Sequence, residues 1–112
     1  MPSRRPREYC DMVARPMQPM CLAMLSYVKP LDEVDVHRDA HVAWIKAAMD
    51  EGTMLLAGRR NPPTGGVLLF RGEEDAVRAV AETDPFVVNG VATVEVVAFT
   101  MTLAMDQIGQ LF

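Results

Sequence analysis

The sequence predicts an α+β domain in which two helices cover one sheet of four strands. Three observations carry this reading: four short apolar runs of strand length, two stretches with apolar residues at three- and four-residue steps, and proline or glycine at most junctions between them. A length of 112 residues sets the expectation of one domain.

Residues 1–19 contain Pro2, Pro6, Pro16 and Pro19 among charged side chains and are expected to form a flexible N-terminal extension. The domain proper is expected over residues 20–99. Residues 20–28 are a mostly buried first strand, stopped by Lys29-Pro30 because proline cannot continue a ladder. Asp32, Glu33 and Asp35 then open a helix over residues 31–51, where carboxylates favour an N-terminus. Its apolar stripe is Val34, His37, His41, Trp44, Ile45 and Ala48, and Gly52 follows as a natural stop.

Residues 53–57 and 66–70 read as strands two and three. The loop between them, Gly-Arg-Arg-Asn-Pro-Pro-Thr-Gly over residues 58–65, is dense in turn formers and makes the pair a hairpin. Residues 73–83 form the second helix, with Ala76, Val77, Val80 and Ala81 on one face, and Asp84-Pro85 ends it. Residues 91–99 alternate, are rich in β-branched side chains, and form the fourth strand. Residues 100–112 are expected to be a C-terminal tail or short helix.

The order β-α-β-β-α-β is that of a ferredoxin-like fold: a four-stranded antiparallel sheet with both helices on one face. The strands are apolar at both parities, notably at residues 21–25 and 67–70. The second sheet face is therefore an apolar patch, and a homodimer through sheet faces is the economical way to cover it.

Charge and cysteine content narrow the function. The formal net charge is −4, and the four arginines of the first fifteen residues stand against two acids, leaving seven basic and thirteen acidic groups in the remainder. An acidic body repels phosphate backbones, so no nucleic-acid partner is expected. No apolar run reaches membrane-spanning length, so no membrane partner is expected either. Cys10 and Cys21 form neither a disulfide framework nor a metal-ligand spacing, and residues 1–19 lack a secretory signal's apolar stretch. A reducing cytoplasm is the expected compartment. No nucleotide-binding glycine motif, serine-nucleophile elbow or carboxylate metal run occurs, and no cofactor is expected.

Several segments together resemble the YciI-like (YCII-related domain) family. They are Leu-Ser-Tyr-Val-Lys-Pro at residues 25–30, His-Val-Ala-Trp-Ile-Lys at 41–46, Gly58, Gly65-Gly66, Asp84-Pro85-Phe86, Gly90, and Val-Glu-Val-Val-Ala-Phe at 94–99. The resemblance implies a dimeric α+β barrel with a cleft holding a histidine and an aspartate, which carry over to His41 and Asp84. It also implies acid–base chemistry, of lyase or isomerase type, on a small organic and possibly hydroxylated aromatic substrate.

The residues themselves permit this and a plainer reading. An imidazole titrates near neutrality and can act as base and then acid, provided a carboxylate orients it. Equally, His41 can be a core histidine and Asp84 the usual aspartate of an Asp-Pro turn. Arg59 and Arg60 are candidates for gripping an anionic substrate or are simply solvated. Trp44 and Phe86 are candidate cleft walls or core, and either Tyr27 or Ser26 points into the cleft. His37 lies one turn before His41, but a metal site would require a third ligand, and no metal is expected. A non-catalytic dimer binding a small ligand in the same cleft, and an oxygen-dependent oxidation of aromatics, remain the alternatives.

Overall fold

A computed structural model describes residues 17–112. The elements run β1 (Gln18–Tyr27), α1 (Leu31–Val36), α2 (Arg38–Asp50), β2 (Met54–Arg59), β3 (Gly65–Arg71), α3 (Glu74–Ala81), α4 (Pro85–Val88), β4 (Ala92–Met101) and α5 (Asp106–Gly109). The four strands form one sheet in the order β2-β3-β1-β4, with every neighbouring pair antiparallel. This is the ferredoxin-like arrangement expected from the element order. Of the extension expected over residues 1–19, residues 1–16 lie outside the described residues, while Gln18 and Pro19 belong to β1, which begins two residues before the expected start.

Register explains the two unlike sheet faces. Cys21 pairs with Phe70 and Ala23 with Leu68, and this parity is buried against Val34, Ala48, Val77, Ala81 and Phe86 from the helices. The opposite parity carries Leu22, Met24, Val67 and Leu69, with Leu56, Val97 and Phe99 beside them on the outer strands. Leu56, Val97 and Phe99 are 52%, 41% and 45% exposed, so this face is apolar and open in the single chain. At its far end Arg71 donates to Gly52 and Leu111 carbonyls, and its guanidinium lies 4.7 Å from the Phe112 ring centre, which ties down the C-terminus.

The helix expected over residues 31–51 is two helices. His37, with φ −104° and ψ 7°, forms the joint, and its N–H bonds to Val34 rather than continuing the ladder. Neither glycine nor proline marks the break, so the sequence carries no signal for it. Gly52 does close α2: at φ +81° its N–H bonds to Met49, while the Thr53 N–H reaches back to Ala48. That paired closure requires a left-handed residue and explains the glycine. No described helix is long and apolar enough to cross a membrane.

Candidate active site

Asp84 leaves α3 in an extended conformation and caps α4, with Pro85 at the first helical position. Its Oδ1 accepts the Phe86 N–H at 2.9 Å. The same oxygen lies 2.7 Å from His41 Nδ1, 43 residues away in sequence. An ionised carboxylate only accepts hydrogen bonds, and beside one Nδ1 would carry the proton and leave Nε2 as the ring's acceptor. Asp84 is completely buried and its Oδ2 has no partner among the described residues. Its one side-chain partner among the described residues is the imidazole.

The ring of His41 is fixed on three sides. Phe86 stacks on it with centres 3.9 Å apart and planes 13° apart, and Trp44 stands 6.1 Å away, nearly parallel. Trp44 Nε1 donates to Thr83 Oγ1 at 2.9 Å, a second tie between α2 and the turn that carries Asp84. His41 lines a cleft of about 200 Å³ on the helix side of the sheet. Arg38, His41, Val42 and Ile45 line it from α2, Leu25 and Tyr27 from β1, and Arg59 and glycines 58, 65 and 66 from the β2–β3 hairpin. Glycine is required at 65, where a Cβ would stand 1.8 Å from the Leu25 carbonyl oxygen.

The expected site residues divide on this geometry. His41, Tyr27 and Arg59 share the cleft, and Asp84 reaches it only through the imidazole. Ser26 and Arg60 do not line it. Successive strand residues point to opposite faces, so Tyr27 turns toward the helices and Ser26 away, where its Oγ accepts from Arg60 Nη1 at 3.3 Å. Trp44 and Phe86 are likewise corrected from cleft wall to support: Phe86 is buried behind the imidazole, and Trp44 borders a different groove with Thr83. His37 lines a separate groove with Lys29 and Glu33, and among the described residues no three His, Cys, Asp or Glu side chains converge as a metal site.

Arg38 was missed by sequence reasoning, although the signal was available: it stands three residues before His41, on the same helical face. Its Nε and Nη2 both donate to Asp35 Oδ1, at 2.9 and 2.6 Å. This hydrogen bond holds the guanidinium above its ordinary pKa against the opposing effect of burial, with a smaller contribution from Tyr27.

Comparison with known proteins gives a fold and a family. Among solved structures, one of 5-chloro-2-hydroxyhydroquinone dehydrochlorinase from Burkholderia phenoliruptrix AC1100, in complex with 2,5-dihydroxybenzoquinone, superposes with a TM-score of 0.58. It is 20% identical in sequence, and the match covers 70% of this chain and 90% of that one, a likeness of fold. No curated protein sequence matches. The YCII-related domain matches residues 20–100, from the first strand to the last and across both halves of the His41–Asp84 pair. The chain belongs to the YCII-related domain family.

Proposed function

We propose that the protein is a small acid–base enzyme, of lyase or isomerase type, acting on a small hydroxylated aromatic molecule. The reading rests on one observation: a buried carboxylate bonded at 2.7 Å to the imidazole of a histidine that lines a cleft. In this scheme His41 Nε2 takes a proton from a substrate hydroxyl or carbon, and Asp84 stabilises the imidazolium that forms. The same nitrogen then returns the proton to carbon, or to a departing group. The aromatic substrate class is supported by the dehydrochlorinase whose fold the chain shares and by a cleft wall of apolar side chains and bare glycine backbone.

The test is turnover by purified protein on hydroxylated and chlorinated hydroquinones, with His41→Asn beside the wild type. Loss of turnover in a variant whose unfolding midpoint is nearly unchanged supports the scheme, and retained turnover sinks it. Dependence of product on oxygen would move the reaction to oxidation. Because Asp84 also caps α4, a purely structural reason for its burial exists. A non-catalytic ligand-binding protein is therefore the second reading, supported if ligands raise the unfolding midpoint and no product forms.

The acting unit in this proposal is a homodimer through the open sheet face. An uncovered stripe of Leu22, Met24, Leu69, Val97 and Phe99 is the kind of patch that a second copy covers, and it leaves the cleft on the other face free. Sedimentation should give twice the chain mass, and Phe99→Asp should halve it. A monomeric wild type at micromolar concentration would refute the dimer.

A further inference from the structure

The cleft presents basic side chains on an acidic chain. The chain carries a formal net charge of −4, yet Arg38, Arg59 and His41 line the cleft and no Asp or Glu is among its described walls, Asp35 and Asp84 pairing with Arg38 and His41 from outside it. The two arginines come from opposite sides, Arg38 from the first turn of α2 and Arg59 from the end of β2. We infer that the cleft selects a substrate bearing an oxyanion, an enolate, phenolate or carboxylate oxygen, which Arg38 and Arg59 hold while His41 faces the reacting atom. The inference rests on the reading of this cleft as the substrate site.

Arg38 is prepared for the task. A guanidinium has five N–H donors, and Asp35 occupies the Nε edge and one Nη2 hydrogen, leaving three. Asp35 thereby fixes the orientation of the fork without entering the cleft. Arg38 is also three residues before His41 on the same helix, so a bound oxyanion and the acid–base nitrogen are set one helical turn apart. Arg59 is exposed on a short edge strand and suits capture, while Arg38 is about one-third exposed and suits recognition. Low-dielectric walls of Leu25, Ile45 and Leu68 strengthen the attraction relative to open water.

Calorimetric titration with three probes tests this: 2,5-dihydroxybenzoquinone, a vinylogous acid that is anionic at neutral pH; 2,5-dihydroxybenzoate; and uncharged 1,4-dihydroxybenzene. Wild type should bind at least one anion about tenfold or more tighter than the neutral ring, as expected for a charge-assisted hydrogen bond. Arg38→Gln should reduce that preference to about threefold or less, and Arg59→Gln should weaken it and its salt dependence. Arg60→Gln removes an equal charge outside the cleft and should keep the preference. Which anion wins separates enolate from carboxylate recognition. Should Arg38→Gln fail to fold, Arg38→Lys, which keeps the charge and loses the fork, should give an intermediate preference.

The inference is overturned if wild type prefers neither anion, including by binding neither at millimolar concentration. It is overturned equally if Arg38→Gln or Arg38→Lys keeps the full preference, or if Arg60→Gln loses as much as Arg38→Gln. Binding is read without turnover, so the two proposals fail separately. Anion preference with no reaction removes the enzyme and keeps the site, and reaction without preference does the reverse.

Discussion

Replacing Asp84 with alanine removes an acceptor that serves two donors. The Phe86 N–H loses its cap, which costs about 0.5–2 kcal/mol. The His41 Nδ1–H loses its partner in a nearly closed site, which costs about 1–3 kcal/mol more. Against this, the desolvated Oδ2 disappears with the side chain, a relief of about 1 kcal/mol. The net expectation is a loss of about 0.5–4 kcal/mol, centred near 2 kcal/mol, or a fall in the unfolding midpoint on the order of 10 °C for a domain of this size. The single tryptophan, Trp44, is bonded to Thr83 beside the substituted residue and reports locally by fluorescence. Urea unfolding, followed by that signal and by circular dichroism, should be run on Asp84→Ala, His41→Ala and the double variant. The cycle should yield a coupling of about 1.5–3 kcal/mol, the range for a hydrogen bond to a charged group. Single effects that add to within about 0.5 kcal/mol would mean that the two side chains are merely adjacent, and the account of the site would fall.

Two further outcomes follow from packing. Phe86→Ala should cost about 3–5 kcal/mol, because the ring is buried and fills the space under the imidazole; a chemical-denaturation loss below about 1 kcal/mol would contradict that burial. Gly65→Ala should prevent stable folding, since its methyl would meet the Leu25 carbonyl, whereas Gly58→Ala has open space and should fold normally while narrowing the cleft and raising KM. Soluble, wild-type-like Gly65→Ala would show that β1 and β3 do not approach as described.

Much of the architecture was legible because each element announced itself locally. Pro30, Gly52 and Pro85 stand where backbone chemistry demands them, and the β-branched run in β4 left little choice of structure. The joint at His37 was not legible, because neither glycine nor proline marks the break. Within the site, His41 and Asp84 could be named from family resemblance but not brought together by periodicity, which says nothing about groups 43 residues apart. Parity was the other gap. Whether Tyr27 or Ser26 faced the helices depended on the register with β3, and once Tyr27 was turned inward, Ser26 and with it Arg60 were carried to the far side. Arg38 was missed because its place one helical turn before His41 gains meaning only from the cleft that both residues line.

The idle oxygen of Asp84 makes this interior improvable in a revealing way. A neighbouring residue redesigned to offer that oxygen a donor would gain firmness for the whole domain. The same donor would draw off part of the negative charge on which the imidazole leans. If His41 is the acid–base group proposed above, a hardened version of this protein is expected to be a slower one.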